Sequence, residues 1–147
     1  MSVNVGDVAP AFSTQDQDGN AVELADFAGK RVVLWFYPKA DTPGCTREGC
    51  NYRDLAERYA ERGTQILGVS YDSPAENKKF HEKYRFSYPL LSDADQAIAK
   101  AYGAYVAGQP YPNRNTYVIA GDGKVESVHE GINPKTHPRA LLDSLGE

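Results

Sequence analysis

Two cysteines, Cys45 and Cys50, stand five positions apart in the run Pro38-Lys39-Ala40-Asp41-Thr42-Pro43-Gly44-Cys45-Thr46-Arg47-Glu48-Gly49-Cys50, directly behind an apolar stretch. A thiol is a nucleophile only as thiolate, and the first turn of a helix favours the thiolate through its unpaired N–H groups and its dipole. Thr42-Pro43 reads as such a start, with Thr at the N-cap and Pro at the first helical position. The pair has three possible uses: inert core thiols, half of a metal site, or a redox couple. A structural zinc wants four ligands at knuckle spacing, whereas His81, His129 and His137 are scattered along the chain. No metal or other cofactor is therefore expected. The two-residue gap of a thioredoxin-type exchanger is also absent, since four residues intervene. On an intact helix the two α-carbons would lie about 8–9 Å apart, beyond the roughly 7 Å that a disulfide spans. Pairing them requires local unwinding, and Gly49 reads as a residue that eases it.

These residues must be carried by regular elements. Val32-Val33-Leu34-Trp35-Phe36-Tyr37 is a continuous β-branched and aromatic run, the pattern of a central strand covered on both faces. From Pro43 to about Glu61, Tyr52, Leu55, Ala56 and Tyr59 recur at helical spacing and Gly63 stops the helix. Ile66 to Ser70 repeats the strand pattern, and Ser73-Pro74 opens a second helix running through Phe80 and Tyr84. Pro89 to Leu91 reads as a short strand, and Gln96 to Tyr102 as a helix ended by Gly103. Ala104 to Arg114 is a Gly/Pro-containing loop. Asp18-Gly19-Asn20 predicts a hairpin near the N-terminus between Ala11–Thr14 and Ala21–Leu24, and Gly121-Asp122-Gly123 a second between Asn115–Ala120 and Lys124–His129. A last helix is expected from about Pro134. The alternation predicts an α/β fold with a mixed central sheet, helices on both faces and an N-terminal hairpin.

At 147 residues the chain has the length of a single domain, spanning 1–147. Sixteen Lys and Arg against 20 Asp and Glu leave a net charge of −4 with no basic, aromatic-interleaved stripe, which argues against nucleic acid. No segment approaches the roughly 20 apolar residues of a membrane helix. The opening Met1–Asp7 carries neither a basic leader nor an apolar secretory stretch, so a cytoplasmic, reducing setting is expected.

The spacing Pro38, Thr42, Cys45 resembles the peroxidatic signature of the peroxiredoxins, thiol peroxidases of thioredoxin-like fold, and Cys50 falls where the peroxiredoxin Q or bacterioferritin-comigratory-protein group places its resolving cysteine. The Gly6-Asp7 to Phe12 opening, Phe36-Tyr37-Pro38-Lys39, Ser70-Tyr71-Asp72-Ser73-Pro74 and Arg114-Asn115-Thr116-Tyr117-Val118-Ile119 extend the resemblance over nearly the whole chain. It implies that Cys45 attacks a hydroperoxide and becomes a sulfenic acid, and that Cys50 condenses with it into an intramolecular disulfide. Thioredoxin or a similar dithiol would then reduce that bond. It further implies that Arg114 steadies the thiolate and orients the peroxide, that Thr42 hydrogen-bonds the peroxide oxygens, and that Pro38 shields the sulfur. An intramolecular partner removes the chemical need for a dimer, so a monomer is preferred. Two other readings stand beside this one: a thiol–disulfide oxidoreductase acting on proteins, and a catalytically silent binding or chaperone-like module. Glu48, three positions beyond Cys45, falls where the group often carries an acid, but a solvated helix face accounts for it nearly as well and it is left out of the catalytic set; the histidines read as ordinary core or surface residues.

Overall fold

The computed structural model describes residues 2–145. Seven strands form one mixed sheet: β1 (Ser13–Gln15), β2 (Ala21–Glu23), β3 (Arg31–Phe36), β4 (Thr64–Ser70), β5 (Leu90–Ser92), β6 (Thr116–Ile119) and β7 (Val125–His129), in the order β2-β1-β5-β4-β3-β6-β7. Four helices connect or flank them: α1 (Pro43–Glu61), α2 (Pro74–Tyr84), α3 (Ala97–Tyr102) and α4 (His137–Ser144). β3, β4 and β5 run parallel, while β6 is antiparallel to β3.

The period-two alternation of β3 divides the core. Val32, Leu34 and Phe36 face a cluster with Ile98, Ala99 and Tyr102 of α3 and with Phe12 and Val22 beside the N-terminal hairpin. Val33, Trp35 and Tyr37 face the opposite cluster, with Tyr52 and Tyr59 of α1, Phe80 of α2 and Leu141 and Leu142 of α4. Burial on both faces explains why the strand reads as an unbroken apolar run.

Local chemistry matches the predicted turns. Asp16 Oδ1 accepts from the N–H groups of Asp18 and Asn20 at 2.9 and 3.0 Å, closing the first hairpin around Gly19 at φ 79°. Ser73 and Glu76 form a reciprocal capping box at the start of α2. The strands are displaced by one or two residues from their sequence-based bounds. The last helix begins at His137 rather than Pro134, because Asn133 first makes a turn of its own: its Oδ1 accepts from Lys135 N–H at 2.9 Å and its carbonyl from His137 N–H at 2.9 Å.

Candidate active site

The register of the sheet assembles the site. β6 runs antiparallel to β3 with Trp35 opposite Thr116, and Phe36 N–H donates to the Asn115 carbonyl at 2.8 Å. Arg114, just before β6, therefore lies at the end of β3 from which the chain enters Pro38 and α1. A pair 69 residues apart in sequence meets there: Arg114 Nη2 approaches Cys45 Sγ at 3.5 Å. The other arm of the same guanidinium, Nη1, donates to Glu48 Oε1 at 2.9 Å. Cys45 and Glu48, one turn apart on α1, are both 0% exposed.

Glu48 is the residue that sequence reasoning weighed and left out of the catalytic set. It does not belong to a solvated face; it is buried against Arg114, and burial pushes its carboxyl up to about 7 even though the guanidinium pulls the other way. Its Oε2 has no hydrogen-bond partner among the described residues. The signal in the sequence was its position three residues after Cys45, on the side of α1 that carries Tyr52 and Tyr59. Burial pulls the Arg114 guanidinium down, but the charges of Cys45 and Glu48 outweigh it and hold the side chain above its usual range.

Thr42 is the N-cap residue of α1 by backbone position, with Pro43 at the first helical position, yet its side chain does not cap. The hydroxyl donates backward to the Lys39 carbonyl at 2.7 Å. That choice commits its hydrogen and leaves its oxygen lone pairs as acceptors. It also leaves the Gly44 and Cys45 N–H groups, which have no intrahelical acceptor in the first turn, uncapped by Thr42. Pro38 is half-buried at the exit of β3 and adds no donor.

The segment between Pro38 and Thr42 is tied at both ends of α2. Lys39 Nζ donates to Asp72 at 2.7 Å and Glu76 at 2.9 Å, and Ala40 N–H donates to Asp72 Oδ2 at 2.8 Å. Asp41, left-handed at φ 59°, accepts from Lys83 Nζ and the Tyr84 hydroxyl at 2.8 Å each. These contacts hold a left-handed non-glycine residue where the chain turns into α1.

Cys50 is half-buried on the same helix, and both cysteines are free thiols. Burial pushes the Cys50 thiol above its ordinary value, so it stands protonated at neutral pH. It borders a hollow of about 380 Å³ lined by Asp41, Thr42, Thr46, Arg47 and Tyr84. A larger hollow, about 550 Å³, lies between the N-terminal hairpin and α3 and holds no candidate residue. Gly49 has a packing role beside the helix-weakening one that the sequence implied. A Cβ there would fall 2.7 Å from Phe86 Cζ, so the glycine is the slot in which that ring packs, and the Tyr88 hydroxyl donates to the Gly49 carbonyl at 2.8 Å. Among the described residues no group of three or more His, Cys, Asp or Glu could hold a metal ion.

Residues 5–128 match the AhpC/TSA family. The chain is 38% identical to peroxiredoxin Bcp of Escherichia coli (strain K12), covering 99% of this chain and 97% of that protein. It is 41% identical to chloroplastic peroxiredoxin Q of Gentiana triflora, over 97% of this chain and 67% of that protein. The crystal structure of peroxidoxin BcpB from Mycobacterium tuberculosis superposes with a TM-score of 0.88 at 39% identity, covering 96% of this chain and 95% of that one. A thiol held between the first turn of a helix and a half-buried arginine, on a mixed sheet like that of the superposed relative, is the centre of a thioredoxin-like fold, and the chain belongs to the AhpC/TSA family as a peroxiredoxin of the Bcp and peroxiredoxin Q kind.

Proposed function

We propose that the protein reduces hydroperoxides with Cys45 as the attacking sulfur and Cys50 as its resolving partner. The observation that carries this reading is the 3.5 Å approach of Arg114 Nη2 to a fully buried Cys45 Sγ at the third position of α1. A guanidinium lies beside the sulfur, and the sulfur belongs to the first turn of α1, so negative charge there is met by a fixed cation and by the positive end of the helix dipole. The thiolate attacks one oxygen of ROOH; an S–O bond forms, the O–O bond breaks, and the leaving oxygen departs as water or an alcohol after taking a proton. Thr42, its own hydrogen given to Lys39, accepts the hydrogen of the –OOH group and fixes which oxygen faces the sulfur. Pro38 keeps bulk water from the thiolate.

Cys50 then attacks the sulfenic sulfur, expels water and leaves a disulfide within one chain. Both cysteines ride one helix, so the first turns of α1 unwind for the sulfurs to meet. A dithiol of thioredoxin type reduces the product, which places the cycle in a reducing cytoplasm and requires no second copy of the chain. No helix among the described residues is long and apolar enough to cross a membrane.

Stopped-flow reaction with hydrogen peroxide and an organic hydroperoxide tests the assignment. Cys45→Ser should lose the reaction; Cys50→Ser should reduce one equivalent and stall as sulfenic acid. Full turnover by Cys50→Ser with thioredoxin would remove Cys50 from the cycle. A wild type that reduces protein disulfides but consumes peroxide no faster than free cysteine would favour the exchanger reading instead.

A further inference from the structure

The buried cluster contains two acids and one cation. Arg114 offers Nη1 to Glu48 and Nη2 to Cys45, and neither acid is exposed. One anion against the guanidinium makes a neutral pair; two would leave an uncompensated charge out of water, which is costly. The tyrosines that face Glu48, Tyr52 and Tyr59 on α1 and Tyr88 before β5, are all pushed up by burial and carry no charge at neutral pH. Arg114 is thus the cation against which both acids must be balanced. Among the described residues Glu48 Oε2 has no partner, a poor setting for a permanent carboxylate and a tolerable one for a neutral acid.

We propose that Cys45 and Glu48 share a single proton across Arg114, so that Glu48 holds it while Cys45 is a thiolate and gives it up as the sulfur is oxidised. This inference rests on the peroxidase reading and deepens it. Before reaction the cluster holds Cys45–S⁻, Arg114 and Glu48–COOH; afterwards it holds Cys45–SOH, Arg114 and Glu48–COO⁻, with ROH released. The S–O bond has formed and the O–O bond has broken. Sulfur has lost two electrons and the two peroxide oxygens have gained one each; ROH takes its proton from solvent and Glu48 releases one to solvent, since Arg114, always charged, relays none. Net buried charge is unchanged, so oxidation strands no ion in the core. Glu48 touches the guanidinium and not the peroxide, and is a positioning residue. Burial raises its carboxyl to about 7, the range in which such an exchange works at neutral pH.

The test is the pH profile of Cys45 alkylation in Cys50→Ser, with Glu48 intact or changed to Gln, an isostere that still accepts from Arg114. With Glu48 intact the rate should climb in two steps, as a coupled pair requires. With E48Q it should climb in one, and near neutral pH run about tenfold faster, the change carried by one unit of titration midpoint. An E48Q rate equal to or below the parent at every pH, or a single step in the parent, overturns the proposal, since a purely structural glutamate would only hold Arg114 in place. If E48Q does not fold, infrared spectra of the wild type and Cys45→Ser decide. A protonated-carboxyl band should be stronger in the reduced wild type than in Cys45→Ser at neutral pH; no difference between them overturns the proposal. These measurements use no peroxide, so a wild type inert to hydroperoxide would sink the peroxidase reading while leaving the shared proton standing.

Discussion

Gly44 precedes Cys45, and a Cβ built on it would fall 2.9 Å from Arg114 Nη2. The neighbour is the far end of a flexible side chain, so the fold can accommodate an alanine by letting the guanidinium swing aside. The geometry over Cys45 cannot. Gly44→Ala should therefore keep its melting temperature within a few degrees and lose about 10²-fold in kcat/KM for peroxide, the scale of loss that a misplacement near 1 Å brings. Unchanged kcat/KM would show that Arg114 needs no such clearance. The sequence displayed Gly44 beside the cysteine, but its reason is a contact with a residue 70 positions away. Glu48 repeats the lesson: an acid among Arg47, Arg53 and Asp54 reads as solvated, and only its rotation about α1 toward Arg114 makes it a buried group.

At the scale of elements, the proposed cycle asks α1 to be firm enough to present Cys45 and loose enough to release it toward Cys50. Its middle is clamped from the segment after α2: Phe86, stacked on Tyr88 with centroids 5.3 Å apart, packs into the Gly49 slot, and Arg53 Nη1 donates to the Tyr84 carbonyl at 2.7 Å. Glycine in a helix interior costs roughly 1 kcal/mol against alanine, so propensity alone favours Gly49→Ala. Packing opposes it, because a methyl 2.7 Å from a ring that is itself buried must displace the Phe80, Phe86 and Tyr88 cluster. Overpacking costs about 1–3 kcal/mol. Denaturant titration of Gly49→Ala should accordingly show a net loss of stability; a gain would mean that Gly49 serves flexibility rather than fit. The bounds of α1 were legible because Thr42-Pro43 and Gly63 punctuate it. The purpose of its internal glycine was not, since the ring it receives belongs to a different element.

Across the whole molecule, titration is distributed so that its effects oppose one another. His129 on β7 and His137 at the start of α4 have ring centroids 5.0 Å apart, joining the sheet edge to the last helix. Burial, with the charge of His129 second, lowers His137 from 6.5 to about 4, and burial lowers His129. Bases held neutral by the fold favour it above their unfolded value, so this pair's contribution is complete above pH 6.5 and is lost as pH falls toward about 4. Glu48 and Asp93, raised by burial to about 7 and about 6, act in the reverse direction: their contribution is complete below the unfolded carboxylate value and is lost as pH rises through those figures. The wild-type profile should be shallow in that interval, and a variant isolates one side of it. The melting temperature of His137→Gln minus that of the wild type should climb as pH falls from about 6.5 to about 4 and be level above, as read by calorimetry. A difference independent of pH would mean that His137 titrates alike in the folded and unfolded chain.

By itself the sequence determined that two thiols stand five residues apart at the start of a helix, and which strand and helix carry them. Those rest on local rules: an apolar run with a two-residue period, a Thr-Pro start, a glycine stop and the spacing of two thiols. Tertiary structure alone decided that the β3–β6 register brings Arg114 to Cys45, that Glu48 is buried with an unpartnered oxygen, and that Gly44 and Gly49 are clearances for distant side chains. Such facts depend on which residues meet across the sheet and which side of a helix is turned inward, and no local pattern encodes the identity of a neighbour that arrives from elsewhere in the chain.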